Sequence, residues 1–209
     1  MKKFKALLVA LALIIGIVAP VNNAFAADKS DDVVVLYTTD VHCGGTTADA
    51  WGYASLAAYK KDMEDQYNNV TLVDSGDAIQ GEPIGVMSQG QWIVDIMNAV
   101  GYDIATLGNH EFDYTVPVIT KLMKSAEYKY VSCNYMNLGD SKPVCDPYEI
   151  VDYGTLKVAY VGITTPETFS KSTPTYFKND KGEYIYSFAE GYNGKDLYAQ
   201  VQKFVDAAM

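Results

Sequence analysis

The chain has 209 residues, 49% of them hydrophobic, with 16 Lys and Arg against 26 Asp and Glu and a net charge of −10. That acidity argues against a nucleic-acid polymer as partner, yet it leaves small anionic substrates open if metal ions supply a local positive field. Three cysteines, Cys43, Cys133 and Cys145, match no zinc-knuckle spacing. A Cys133–Cys145 disulfide in an oxidising compartment and a set of unpaired thiols both stay open, and Cys43, beside His42, is either a soft metal ligand or packing near a site.

Residues 1–27 read as a secretory signal. Lys2, Lys3 and Lys5 form a basic start, Ala6 to Ala19 an apolar stretch, and Ala24-Phe25-Ala26 a processing site. The apolar run of about 14 residues falls short of the roughly 18–20 that span a bilayer. The expectation is a cleaved signal, no stable membrane span afterwards, and a secreted chain in an extracellular or periplasmic setting, with cell-wall association left open. No cysteine stands where a lipid anchor needs one. The remaining residues 28–209 carry a charge of about −13, because the leader holds three lysines and no acid.

The next elements alternate strand and helix. Val33–Thr38 reads as a strand and Trp51–Asn68 as a helix, with Leu56, Tyr59, Met63 and Tyr67 roughly aligned. Val70–Asp74 is a strand, Ser88–Val100 a helix, Ile104–Leu107 a short strand, Val116–Ser125 a helix with Pro117 in its first turn, and Tyr130–Cys133 a strand. Repeated units of this kind imply a mostly parallel sheet covered by helices. The pattern then changes to a hairpin, Tyr148–Asp152 and Lys157–Ile163 around Tyr153-Gly154-Thr155-Leu156. Residues 165–190 are weakly patterned, with one short strand expected at Tyr184–Phe188, and Asp196–Met209 reads as an amphipathic helix with Leu197, Val201, Phe204 and Val205 on one side.

Three polar clusters follow the first three strands: Asp40-Val41-His42, Gly76-Asp77, and Gly108-Asn109-His110-Glu111. Both histidines of the chain belong to them. Carboxylate, imidazole and amide groups at the C-terminal ends of parallel strands sit where open α/β sheets bind ligands, and that donor mixture suits zinc, manganese, iron or nickel. Asp77 has two oxygens and can bridge two ions; Asp74 competes with it, but the glycine before Asp77 lets the backbone approach closely. His110, next to Asn109, points to the other side of the backbone, so it serves better as a proton donor or phosphate contact than as a ligand to the same ion. Asp113, three residues on, can hydrogen-bond His110 and fix its tautomer.

These blocks resemble a known family. Tyr37-Thr38-Thr39-Asp40-Val41-His42, Asp74 to Gly81 and Gly108 to Asp113 are similar to the signature blocks of secreted 5'-nucleotidases and 2',3'-cyclic-nucleotide phosphodiesterases of the calcineurin-like metallophosphoesterase superfamily. Val131-Ser132-Cys133-Asn134 and Gly162-Ile163-Thr164-Thr165-Pro166-Glu167-Thr168 extend the likeness across about residues 32–170. The resemblance implies an α/β fold, the N-terminal part of a four-layer α/β/β/α sandwich, with residues 28–209 as an incomplete metallophosphoesterase domain. It implies two divalent ions of the Zn, Mn or Fe type: Asp40 and His42 on the first, Asp77 bridging, Asn109 on the second. His110, oriented by Asp113, contacts phosphate or protonates the leaving group, and a metal-activated hydroxide attacks phosphorus in line without a phosphoenzyme.

The family also uses later histidines and a C-terminal domain that stacks the nucleoside base. No histidine follows His110, and Tyr176, Phe177, Tyr184 and Tyr186 are not assignable to base stacking. The expectation is therefore one half of a site that holds one ion or none tightly, with little phosphatase activity alone. The rival readings are an inactive secreted binding protein and half of a split enzyme completed by a missing C-terminal half. The substrate, a 5'-nucleotide, a cyclic nucleotide or a sugar nucleotide, is left open.

Overall fold

The computed structural model describes residues 29–46 and 52–209. The expected signal, and the expected start of the first helix at Trp51, lie outside the described residues.

Strand β1 (Ser30–Thr38) is rich in β-branched residues and pairs in parallel with β2 (Tyr67–Asp74), from Val33 opposite Asn69 to Thr38 opposite Asp74. Between them, helix α1 (Tyr53–Gln66) runs directly into β2, since Tyr67 already has extended φ and ψ. Two further strands, β3 (Ile104–Ala105) and β4 (Lys129–Tyr130), complete a parallel sheet in the order β1-β2-β3-β4. Both are shorter than the sequence predicts, and after β4 a single parallel bridge joins Val131 to Asp146.

The helix predicted over Ser88–Val100 begins later, at Gln91, and a separate short helix that was not expected precedes it. Helix α2 (Pro83–Ser88) stops where Gln89 and Gly90 turn left-handed, at φ 51 and 87, and α3 (Gln91–Val100) starts afresh. The Gln89 amide donates back to the carbonyls of Gly85 and Val86, a C-terminal cap that apolar periodicity does not reveal. Helix α4 (Val116–Ser125) follows with Pro117 in its first turn, as expected. Helix α1 packs on β1 and β2 and meets α3, which meets α4. Their apolar faces enclose Leu72, Ile79, Ile93, Met97, Leu107, Phe112, Ile119 and Leu122, each at most 2% exposed. Lys60 on α1 reaches beneath this layer. Its ammonium donates to the Gly101 carbonyl just past α3 and pairs with Asp103 at 3.3 Å, so it satisfies a helix C-terminus with positive charge.

Past β4 the chain forms β5 (Met136–Asn137), β6 (Lys142–Pro143) and β9 (Tyr186–Ser187), an antiparallel trio in the order β6-β5-β9. β5 and β6 have no periodic signal at two residues each. The hairpin β7 (Tyr148–Asp152) and β8 (Lys157–Val161) turns at Gly154, as expected. It approaches the sheet face opposite the helices, where the Tyr153 and Thr71 hydroxyls meet. A short helix α5 (Thr168–Lys171) follows, and α6 (Lys195–Ala208) packs on the hairpin with the predicted residues Leu197, Val201, Phe204 and Val205 partly buried. The result is a mixed α/β arrangement in which helices, parallel sheet, hairpin and α6 succeed one another. None of the three cysteines is joined in a disulfide; burial pushes the pKa of Cys133 up to about 11 and that of Cys145 up to about 12.

Phe177 lies in an aromatic core with Phe112, Phe169 and Phe188, so it packs rather than stacks on a ligand. Fully buried Asn134 clasps this region. Its Nδ2 donates to the carbonyls of Thr164 and Phe188 at 2.6 and 2.8 Å, and its Oδ1 accepts from the Thr164 amide at 2.9 Å. At Gly162 the chain passes so close to Val131 that a Cβ would stand 2.0 Å from its carbonyl oxygen. Gly162→Ala is therefore expected to lower stability by about 1–3 kcal/mol, the range for forced overpacking. Urea unfolding checks this, and an unchanged midpoint would contradict it.

Candidate metal centre

Parallel registration brings the strand ends level: Thr38 faces Asp74, and Asp74 faces Ala105. The three following loops therefore leave the sheet side by side. The first two are zipped together by backbone bonds from the amides of Asp40, His42 and Cys43 to the carbonyls of Gly76, Asp77 and Ala78, at 3.1, 2.9 and 3.0 Å. The bends needed for this put Asp40, His42, Cys43 and Asp77 in the left-handed region, at φ 52, 47, 62 and 60. Each such bend costs on the order of 1 kcal/mol for a residue with a Cβ, and strain of this kind concentrates at functional sites. Gly76 and Gly108 let the second and third loops touch. A Cβ on Gly76 would lie 2.3 Å from the Gly108 nitrogen, and one on Gly108 would lie 2.2 Å from an Asp77 carboxylate oxygen.

The outcome is a cluster of one donor from each loop. Ligand atoms of His42, Asp77 and His110 all lie within 4.8 Å of one another. Each histidine is fixed through Nδ1. The His42 Nδ1–H donates to the Gln80 carbonyl at 3.1 Å, and the His110 Nδ1–H to the Asp113 carboxylate at 2.6 Å. Nε2 is thereby left as the lone-pair nitrogen on both rings, which cross at 72° with centroids 4.9 Å apart. The Ser172 hydroxyl donates to the other Asp113 oxygen at 3.3 Å. Asp77 accepts the His110 backbone amide on Oδ1 at 2.8 Å, which leaves Oδ2 for an ion. Two imidazole nitrogens and a carboxylate oxygen, partly exposed and held from behind, form a donor set suited to a divalent transition metal.

The remaining sequence-predicted residues are placed differently. Asp40 lies on the same turn as His42 but is exposed, takes the Thr39 hydroxyl on its carboxylate, and is not one of the three grouped donors. Asn109 heads the 3-10 turn His110–Phe112, and its carbonyl accepts the Phe112 amide. The Cys43 thiol is buried in the apolar core over Gly85, and burial pushes its pKa up. Asp74, the competitor of Asp77, lies beneath the loops. It accepts the Gly76 amide at 2.9 Å and the Thr38 hydroxyl at 2.6 Å, while the Tyr102 hydroxyl joins Thr38 at 2.9 Å. Glu111 is the residue that motif reading passed over. It is 1% exposed, and its carboxylate accepts the amides of Asp77, Ala78 and Gly108. No local signal marks it, since Asn109, His110 and Asp113 around it are polar as well and its partners at Asp77 and Ala78 are distant in sequence.

With this geometry in view, comparison with known proteins is decisive for the family. Residues 33–199 match the family model described as calcineurin-like phosphoesterase, and the chain belongs to that family. It is 31% identical over 170 residues to a 2',3'-cyclic-nucleotide 2'-phosphodiesterase/3'-nucleotidase of Haemophilus influenzae, covering 69% of this chain and 26% of that protein. It is 31% identical over 178 residues to the protein UshA of Escherichia coli, covering 81% of this chain and 32% of UshA. A solved structure of the calcineurin-like phosphoesterase YfkN from Bacillus subtilis superposes with a TM-score of 0.61 at 26% identity, over 82% of this chain and 58% of that one. The NAD nucleotidase of Haemophilus influenzae gives 0.67 at 22% identity, over 83% of this chain and 32% of that one, and shares the fold. The chain thus spans about a quarter to a third of the length of the curated relatives it matches. Among the described residues, no helix is long and apolar enough to cross a membrane.

Asp74 gives a test of the buried ground beneath the loops. Burial raises its pKa to about 7, with the charges of Glu111 and Asp77 adding to the effect and the bonds from Thr38 and Gly76 opposing it. A carboxyl whose folded pKa is raised favours folding fully below its unfolded value near 4, and that contribution is lost as pH rises through about 7. Asp74→Asn removes this dependence. Between pH 5 and 8 the variant is expected to gain on the wild type by up to roughly 3 kcal/mol, since each tenfold change in proton affinity is worth about 1.4 kcal/mol. The same pH dependence of the urea-unfolding free energy in both proteins would refute it.

Proposed function

We propose that this chain is the metal-binding part of an exported phosphoesterase that hydrolyses phosphate esters of nucleotides. The observation that carries the reading is the convergence of His42, Asp77 and His110 from three successive loops at one edge of a parallel sheet. The names of the curated relatives, nucleotidases and a cyclic-nucleotide phosphodiesterase, support the substrate class. The leader-like residues 1–27 support export.

In this reading His42 and Asp77 hold the ion. Asp40, on the same turn as His42, and Asn109, next to His110, complete the binding of one or two divalent ions of the zinc, manganese or iron type. Such ions supply charge neutralisation for a phosphoryl group and an activated water. The protein's own contribution is positioning and proton control. His110 already gives its Nδ1 proton to Asp113, so it can donate from Nε2 only as the imidazolium. The Asp113 carboxylate stabilises that cation and keeps Nε2 aimed at the cluster, where it can contact phosphate or protonate a leaving alkoxide. The grouped donors are two imidazoles and a carboxylate, and the chain is acidic, so in this reading binding of an anionic ester depends on the ion.

Residues 28–209 supply half of a dinuclear site in this reading, because both histidines of the sequence are already spent at one cluster. Further ligands, and the groups that choose between 5'-, cyclic and sugar nucleotides, come in this reading from outside these residues. Calorimetric titration of the chain with Mn²⁺ or Zn²⁺, alongside turnover of a nucleoside monophosphate, tests both statements. One weak site is expected, with little turnover, and Asp77→Asn should weaken binding at least about tenfold, the effect of about 1.4 kcal/mol. Two tightly held ions with robust turnover would overturn the half-site reading. Absence of binding, or wild-type affinity in Asp77→Asn, would overturn the metal assignment and favour a secreted protein without catalysis.

A further inference from the structure

Glu111 follows His110 directly, yet the two side chains serve opposite sides of the same turn. His110 reaches the cluster, partly exposed, while Glu111 points inward and is 1% exposed. A carboxylate buried without a cation is costly unless hydrogen bonds replace its water. Among the described residues the bonds it makes are all to backbone. Oε2 accepts the amides of Asp77 at 2.8 Å and Gly108 at 2.7 Å, and Oε1 accepts the amide of Ala78 at 2.9 Å. Two of these donors belong to the loop after β2 and one to the loop after β3. The carboxylate therefore joins the two loops from below, at the residue that carries the metal-binding carboxylate and at the residue whose bare Cα makes room for it.

From these bonds we infer that Glu111 is a positioning residue that sets the Asp77 carboxylate against His110. The inference rests on the metal-site reading above and names the group that preorganises it. Asp77 sits at φ 60, a bend that aims its amide inward, and the Glu111 oxygen is what that amide meets. With the Asp77 backbone so held, its Oδ1 lies 2.8 Å from the His110 amide. The second loop is thus gripped at both ends of Asp77, through its amide by Glu111 and through its carboxylate by the residue preceding Glu111. Three donors converging on one group require an acceptor at every point. An amide of the same shape offers one acceptor oxygen and presents an N–H where the third donor stands, so glutamine cannot satisfy all three. Ligands held in place before the ion arrives avoid the cost of ordering on binding, which is what a positioning group contributes.

The experiment compares wild type, Glu111→Gln and Asp77→Asn by two measurements. Hydrogen exchange of the His110 amide in metal-free ¹H–¹⁵N spectra reads the Asp77–His110 bond directly. Calorimetric titration with Mn²⁺ reads the consequence. Glu111→Gln is expected to keep the dispersed spectrum of the sheet and of α4, to lose His110 amide protection at least tenfold, and to bind Mn²⁺ at least tenfold more weakly. A merely structural role would lower protection across the sheet and α4 together. That pattern, or unchanged His110 exchange, overturns the inference. So does wild-type affinity in Glu111→Gln where Asp77→Asn binds weakly. If no protein binds Mn²⁺, the metal reading falls, while selective loss of His110 protection in Glu111→Gln still upholds the positioning role. Should Glu111→Gln fail to fold, Glu111→Asp, which keeps the charge and shortens the reach, takes its place with the same criteria.

Discussion

Parallel registration of the first three strands is the constraint on which everything else rests. Because Thr38, Asp74 and Ala105 stand opposite one another, the loops that follow begin at one level and run alongside each other. A shift of one residue in either pairing would turn the alternating side chains over and separate the donors. The buried face formed by Leu72 and its neighbours under α1, α3 and α4 fixes that register, so the hydrophobic layer and the polar cluster are two results of one alignment.

On that platform the loops are held by main chain more than by side chain. Four residues accept left-handed conformations, and the cost is offset by the ladder between the first two loops and by a carboxylate that gathers three amides. The side chains that remain, His42, Asp77 and His110, are then free of structural duty on the atoms that face each other. Asp113, Gln80 and the His110 amide take the atoms that face away.

Much of this was legible in the sequence. Alternating β-branched and helical segments indicated the order of the parallel units, and the motif residues pointed to the three loops and to the His110–Asp113 pair, though Asp40 and Asn109, expected as ligands, are not among the grouped donors. What was not legible follows from physics that acts across the chain. The short helix ahead of Gln89–Gly90 is too brief to show a period, and the break that ends it is a backbone event in the polar stretch Ser88–Gln91. β5 and β6, two residues each, have no period to detect. Glu111 looked like an ordinary motif neighbour because its meaning lies in amides 33 and 34 residues away. Asp40 and His42 read as equivalent on their loop, whereas the left-handed turns separate an exposed carboxylate from a clustered imidazole.

The span of those bonds has a consequence for how the molecule comes together. His42 meets Gln80 across 38 residues and Asp77 meets His110 across 33. Contacts of such separation form only after the intervening loops have closed. The donor cluster is therefore complete only once the strands that carry its loops have paired. An ion that prefers the assembled cluster binds the native state alone, and its concentration then acts on the folding equilibrium itself. The ion content of the medium in which the chain folds then becomes part of what decides how much native protein accumulates.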